Sequence, residues 1–91
     1  MNELNLSDEA IFDRLKKCIL SFAWAKGQHL DEVKRSDNLK DDLGFDSLDV
    51  VELSSRMGRE FGVDIGNSLE TAQTVDDVVR RLKTVIERDS E

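Results

Sequence analysis

The chain has 91 residues, of which 38% are hydrophobic and 36% charged, and its formal net charge is −7. This length accommodates one small domain and not two. The acidic balance argues against a general nucleic-acid binder, because neutralising phosphates requires a basic face, and it favours partners with basic surfaces.

The cysteine content and the apolar runs indicate where the protein works. Cys18 is the only cysteine, so no internal disulfide can form and a reducing cytoplasm is the simplest setting. No apolar run approaches the roughly 18–20 residues that cross a membrane, and the N-terminus lacks the apolar core of a signal peptide. We therefore expect a cytoplasmic protein without membrane insertion.

The first half of the chain predicts one helix and a long connection. We expect a flexible leader over residues 1–7, a helical domain over 8–88 and a frayed tail over 89–91. Apolar residues recur at helical spacing and predict a first helix from Asp8 to Lys26, which stops at Gly27. The connection over residues 28–42 is long for so small a domain. We expect it to form one helical turn near 38–41 and to be pinned by four apolar anchors: Leu30, Val33, Leu39 and Leu43.

The second half predicts two longer helices and a short one. A helix should run from Ser47 to about Phe61, a short helix should form around Leu69 and Ala72, and Thr74 should cap the last helix. The predicted fold is therefore an all-α, small four-helix bundle, with three longer helices, one short helix and a long loop between the first two. The predicted core contains Ile11, Leu15, Phe22, Leu53, Met57, Phe61, Ile65, Val78, Val79 and Leu82.

The chain is organised around the stretch 41–53, DDLGFDSLDVVEL. Asp46 is a good N-cap, because its carboxylate can accept hydrogen bonds from the amides of the first helical turn. Asp49, three residues later, can reach back to form a capping box. This arrangement leaves Ser47 in the first turn with little to hold its hydroxyl in the interior. We therefore expect one exposed serine among several carboxylates.

The stretch 43–53, LGFDSLDVVEL, resembles the attachment motif of acyl carrier proteins, and the order of elements fits that family from about Asp8 to Arg88. The resemblance implies that a phosphopantetheinyl transferase joins 4′-phosphopantetheine from coenzyme A to Ser47. The arm ends in a thiol that holds acyl groups as thioesters. The implied function is an acyl carrier in fatty-acid, polyketide or specialised lipid biosynthesis. The implied partners of this monomeric carrier are acyl-loading and acyl-processing enzymes, such as ketosynthases or acyltransferases.

Catalysis and specific metal binding by the chain itself are not favoured. A nucleophilic serine needs a base, but the only histidine, His29, lies in another segment, and the glycine-flanked turn of hydrolases is absent. A calcium-binding loop aligned on Gly44 would place Leu39 and Val50 at its first and last ligand positions, and neither side chain can bind a metal ion. We therefore expect a non-catalytic carrier with no specific metal site.

The resemblance also implies that partners dock on the second helix through acidic and apolar side chains near the serine. The residues at those positions are Asp46, Leu48, Asp49, Val51 and Glu52. Further along, Arg56 and Arg59 reverse the charge at positions where fatty-acid carriers usually have small or acidic residues. A specialised carrier therefore fits at least as well as a primary fatty-acid carrier. The hypothesis is that these arginines admit a dedicated partner with an acidic counterpatch.

Two alternatives to the acyl carrier stay open. An aminoacyl or peptidyl carrier more often has glycine and histidine ahead of its serine, where this chain has Phe45-Asp46. A helical binding module without a prosthetic group would make Ser47 incidental. Intact-mass analysis after incubation with coenzyme A and a broad transferase separates the last alternative from both carriers.

Overall fold

A computed structural model describes residues 7–89, and three α-helices make up the regular secondary structure of that part of the chain. They are α1 (Asp8–Ala25), α2 (Ser47–Phe61) and α3 (Val75–Asp89). The predicted all-α fold is confirmed. Residues 1–6 of the predicted leader and 90–91 of the predicted tail lie outside the described residues. None of the described helices is both long and apolar enough to span a membrane.

The helix ends follow the local sequence closely. Helix α1 begins after Ser7, whose hydroxyl accepts a hydrogen bond from the Ala10 N–H at 3.1 Å, and it ends one residue before the predicted Lys26. Helix α2 has the predicted bounds and closes at Gly62, which takes a left-handed φ of 69°. Thr74 precedes α3, and its hydroxyl accepts from the Asp77 N–H at 3.1 Å. Local caps therefore set the start of α1, the end of α2 and the start of α3.

Helix α1 packs against both α2 and α3, and the apolar faces of all three helices form the core. Nine of the ten predicted core residues are buried. The exception is Phe61, the last residue of α2, which is only partly buried at the edge of the bundle. The Arg14 guanidinium lies over its ring, 5.5 Å from the centroid. The prediction of Phe61 as a core residue is therefore wrong, because helical spacing does not show where a helix leaves the bundle.

The long connection between α1 and α2 is held by side chains and by backbone pairing. Val33, Leu39 and Leu43 are buried as predicted, whereas Leu30 is only partly buried. The predicted helical turn is present, because the Asp42 N–H donates to the Asn38 carbonyl at 2.9 Å. The loop also pairs with the segment that leads into α3. There the Leu39 N–H donates to the Gln73 carbonyl at 2.8 Å, and the Val75 N–H donates to the Asp37 carbonyl at 2.9 Å.

The predicted short fourth helix is not confirmed. Residues 66–71 form consecutive turns instead. The Ser68 N–H donates to the Ile65 carbonyl and the Ala72 N–H donates to the Leu69 carbonyl, each at 3.1 Å. These bonds join residues three apart, whereas an α-helix joins residues four apart. Leu69 is nonetheless fully buried and anchors this segment.

Candidate functional site

Ser47 is the first residue of α2 and lies exposed at the helix N-terminus. The predicted capping box is present around it. The Asp49 N–H donates to the Asp46 carboxylate at 2.9 Å, and the Asp46 N–H donates to the Asp49 carboxylate at 3.1 Å. Within the described part of the chain, the Ser47 hydroxyl has no hydrogen-bond partner. The structure thus holds the backbone on both sides of this hydroxyl and leaves the oxygen itself open to an incoming group.

The loop before Ser47 is fixed by a tight approach and a buried aromatic ring. Gly44 has a φ of 74°, and a Cβ at this position would lie 3.1 Å from the Gln28 amide nitrogen, so a glycine suits it. Phe45 comes next and is 2% exposed. Its ring meets that of Phe22 edge to face, with the centroids 5.5 Å apart. Phe45 therefore anchors the chain two residues before Ser47.

Lys26 from the end of α1 reaches the N-terminus of α2. Its ammonium donates to the Asp49 carboxylate and lies 5.5 Å from the ring centroids of both Phe22 and Phe45. Partial burial favours the neutral Asp49 carboxyl, but hydrogen bonds from Lys26 and the Asp46 amide outweigh this effect and lower its pKa. Only 15% of the Asp49 side chain is exposed. The Asp49 carboxylate therefore stabilises the N-terminus of α2.

Four of the other residues predicted to dock partners are exposed at the start of α2, whereas Arg56 and Arg59 line a separate groove between α1 and α2. Leu48 is 78% exposed and Val51 is 54% exposed, which is unusual for side chains of their size. Asp46 and Glu52 are also exposed. At 100° per residue, Ser47, Leu48, Val51 and Glu52 project from one half of the helix, and the Asp46 N-cap lies just before its first turn. The structure therefore brings an exposed hydroxyl, two apolar side chains and one carboxylate together on a single face, with the Asp46 carboxylate at the start of the helix.

An open groove of about 740 Å³ lies beside Ser47. Its walls come from the loop before α2, the first turns of α2 and the segment before α3. They include apolar side chains, among them Phe45, Val50 and Ala72. Lys40 is the only cationic residue that lines this groove, and its side chain forms no ion pair with a described residue.

The groups around Ser47 fit a phosphodiester, which is the linkage that the resemblance implies. A helix N-terminus favours an anion, since its first amides are not used inside the helix. Lys40 supplies one positive charge in the same groove, whose walls also carry the carboxylates of Asp41, Asp46 and Glu70. The groove itself offers apolar surface next to the hydroxyl. The residues present therefore suit an attached phosphate followed by a long, partly apolar arm.

The carboxylates near Ser47 mostly satisfy local backbone amides. Asp46 and Asp49 form the capping box, and the Asp42 carboxylate accepts from the Asn38 N–H at 2.6 Å. Among residues 7–89, no group of three or more histidine, cysteine, aspartate or glutamate side chains is placed to hold a metal ion. The turn and the cap thus account for three acids of this stretch, Asp42, Asp46 and Asp49.

Three residues of the site were not predicted from the sequence. Phe45 carried a weak signal, since it is an isolated aromatic residue between a glycine and the N-cap. Lys26 carried none, because it lies 23 residues from its partner Asp49. Lys40 lies within the acidic run, and only the fold shows that it shares a groove with Ser47.

Comparisons with known proteins agree with this geometry. The family described as phosphopantetheine attachment site matches residues 27–82, which is more than half of the chain. An acyl carrier protein of Wolinella succinogenes is 38% identical over 76 residues, which cover 82% of this chain and 96% of that protein. Such proteins are carriers and not catalysts, and they interact with biosynthetic enzymes. The chain therefore belongs to the acyl carrier protein family, and it is a carrier with covalently bound 4′-phosphopantetheine.

Proposed function

We propose that Ser47 is the residue that bears 4′-phosphopantetheine, through a phosphodiester to its Oγ, and that the chain carries acyl intermediates as thioesters between enzymes. The observation that carries this proposal is the isolated hydroxyl at the exposed start of a capped helix. The family assignment supports it, because Ser47 lies within the matched residues 27–82. Once attached, the group supplies the thiol on which acyl chains are held.

The proposed attachment is a transfer of phosphopantetheine from coenzyme A to the Ser47 oxygen. The Ser47 Oγ attacks a phosphorus of coenzyme A held by a phosphopantetheinyl transferase. A phosphorus–oxygen bond forms at Oγ, and the pyrophosphate link to the adenosine bisphosphate leaving group breaks. The Asp46 and Asp49 carboxylates already accept hydrogen bonds from each other's backbone amides. We infer that the transferase supplies the base that takes the Ser47 proton, because both carboxylates are engaged in the capping box and no histidine lies beside Ser47 in its sequence.

We propose further that partner enzymes recognise the face of α2 around Ser47. Leu48 and Val51 supply exposed apolar contact area, and Asp46 and Glu52 supply negative charge. Asp49 contributes by holding the helix start. Docking here places the attached thioester next to an active site and raises its effective concentration there. The transferase, ketosynthases and acyltransferases are the partners that this function requires.

The reversal of charge at Arg56 and Arg59 favours a specialised pathway, such as polyketide or modified-lipid synthesis, over primary fatty-acid synthesis. An aminoacyl carrier remains the second candidate, which Phe45-Asp46 disfavours. We place the protein in the cytoplasm. Cys18 is the only cysteine, so the fold depends on no internal disulfide, as is usual for proteins of that reducing compartment.

Loading with coenzyme A tests the attachment site directly. Wild-type protein incubated with coenzyme A and a broad transferase should gain the mass of one phosphopantetheine. Ser47→Ala should keep its helix content by circular dichroism and gain no mass. The matched control is Ser55→Ala, which removes another exposed serine of the same helix and should load fully. Modification of the Ser47→Ala protein at another residue would contradict the assignment.

A further inference from the structure

A second groove lies between α1 and α2 and is lined mainly by cationic side chains. Its volume is about 690 Å³, and its charged residues are Arg14, Lys17, Arg56, Arg59 and Glu60. Four cations against one acid form an unusual surface on a chain whose net charge is −7. We call these four residues the cationic groove. Two of them come from α1 and two from α2, so the packing of the helices creates the cluster.

The cations of this groove are weakly engaged within the protein. Arg14 lies 3.9 Å from Glu60 and Arg56 lies 3.4 Å from Glu52. Lys17 lies 3.8 Å from Asp13, and all three ion pairs are partly open to water. The buried Arg56 Nε has no hydrogen-bond partner of good geometry. Arg59 forms no ion pair with any residue between 7 and 89. Because exposed pairs contribute little stability, exchanging them for carboxylates of another protein costs little.

Two of these cations are nevertheless held in place by aromatic rings. The Arg56 guanidinium lies 5.1 Å from the centroid of the Phe22 ring, and the Arg14 guanidinium lies 5.5 Å from that of Phe61. Such contacts orient a guanidinium without neutralising its charge. The groove therefore presents positioned donors, and binding an acidic segment orders fewer side chains than it would on a surface of free lysines.

The cationic groove is continuous with the face around Ser47. Helical rise places Arg56 about 14 Å and Arg59 about 18 Å along α2 from Ser47. At 100° per residue, Arg59 projects from the same side of the helix as Leu48 and Glu52. An ordinary protein interface of about 800 Å² per partner covers both regions at once. The outer surface of α2 is therefore negative and apolar near the serine and positive at its other end.

We propose that the cationic groove is a docking surface for an acidic segment of a partner enzyme that acts on the attached acyl group. This inference rests on the proposed function and deepens it, because it states the chemistry of the partner. The partner bears an acidic segment roughly 15 Å from the opening that admits the arm, beside a basic or apolar region that meets the start of α2. A partner with an entirely basic docking patch is repelled at the groove.

A ten-residue peptide rich in glutamate serves as the probe of this surface. It is titrated into the loaded protein while the backbone amide and arginine side-chain signals are followed by NMR. We expect saturable shifts centred on Arg56, Arg59 and the facing turns of α1. Shifts spread equally over Lys34, Arg80 and Lys83 would overturn the proposal. So would inorganic phosphate binding as tightly as the peptide, since the groove would then be a small-anion site.

Charge reversal provides the matched comparison. Lys17→Glu with Arg59→Glu changes two exposed side chains that do not contact the aromatic rings, and we expect the peptide to bind about tenfold more weakly. Lys34→Glu with Arg88→Glu makes the same change in net charge at exposed positions outside the groove, and the affinity should stay within about twofold. An equal loss of peptide affinity in both double variants would show a general effect of net charge and would contradict the proposal that the peptide binds in the cationic groove.

Two further measurements complete the test. Sedimentation distinguishes a partner's acidic segment from a second copy of the chain, and mass gain distinguishes a failure of the docking surface from a failure of the attachment site. Sedimentation of the loaded protein should show a monomer; a dimer that the groove variant dissociates would make a second copy the occupant and overturn the proposal. Mass gain with coenzyme A is measured for the wild-type protein before the peptide titration. Wild-type protein that loads but does not bind the peptide contradicts only the docking surface, whereas wild-type protein that fails to load contradicts the proposed function.

Discussion

At the scale of single residues, the site depends on the contrast between Phe45 and Ser47. Phe45 is buried against Phe22, and two residues later Ser47 is exposed. Asp46 lies between them and caps the helix. The buried ring therefore fixes where the helix begins, and the beginning of the helix determines which hydroxyl faces water.

This contrast predicts that Phe45 contributes more to stability than Phe61 does. Truncating a buried phenylalanine to alanine costs about 3–5 kcal/mol of unfolding free energy, because it leaves a cavity. We expect Phe45→Ala to fall in this range. Phe61→Ala should cost clearly less, since its ring is partly exposed at the edge of the bundle. Urea unfolding of both variants measures the difference, and an equal or larger loss for Phe61→Ala would show that the edge packs more tightly than the structure indicates.

At the scale of elements, two carboxylates at the start of α3 accept hydrogen bonds from neighbouring arginines and backbone amides. The Asp76 carboxylate accepts hydrogen bonds from Arg35 in the long loop and from Arg80 one turn along the helix, and both lower its pKa. The Asp77 carboxylate accepts from the backbone amides of Gln73 and Thr74, which lower its pKa as well. The same segment pairs with the loop backbone, so the start of α3 joins the loop to the bundle.

These two carboxyls predict a loss of stability in acid. Both carboxyls have a lower pKa in the folded state than the ordinary value of 3.8. Their contribution to the free energy of unfolding is therefore fully present above pH 3.8. It is lost as the pH falls through the lowered folded pKa values. Urea unfolding from neutral pH to below 3.8 measures this loss for the wild-type protein.

The variant that tests this source of acid sensitivity is Asp76→Asn with Asp77→Asn. It should be less stable at neutral pH and should lose less stability on acidification than the wild type does. Asp31→Asn, at an exposed loop position, is the control and should follow the wild-type curve. If the stability of the double variant falls with pH as steeply as that of the wild type, other carboxyls cause the acid sensitivity.

At the scale of the whole molecule, the chain has a net charge of −7, and its folded domain has a radius of gyration of 12.4 Å. Like charges so confined repel one another, and salt screens this repulsion over about 10 Å at 0.1 M. Salt also weakens the exposed ion pairs, but these pairs contribute little to the free energy of unfolding. We therefore expect the midpoint of thermal unfolding to rise between low and moderate salt.

Thermal melts in increasing sodium chloride measure this effect. The Lys17→Glu, Arg59→Glu variant is four charge units more negative, so its midpoint should start lower and rise more steeply with salt. A midpoint that is flat or falls in the wild type would mean that self-repulsion does not limit its stability.

The sequence by itself determined the helices and the exposure of Ser47. The signals for both are local. The capping box at Asp46 and Asp49 spans four residues, Thr74 caps α3 within three, and apolar spacing identifies the buried faces of each helix. The stretch 43–53 also carried the resemblance to acyl carrier proteins that the comparisons confirm.

Only the tertiary structure decided which residues meet across the chain. Lys26 reaches Asp49, the long loop pairs with the segment before α3, and Phe61 falls at the edge of the bundle. The cationic groove likewise needs α1 beside α2, because neither helix alone brings Arg14 and Lys17 to Arg56 and Arg59. These contacts join residues far apart in sequence, and spacing along one helix carries no information about the helix that packs against it.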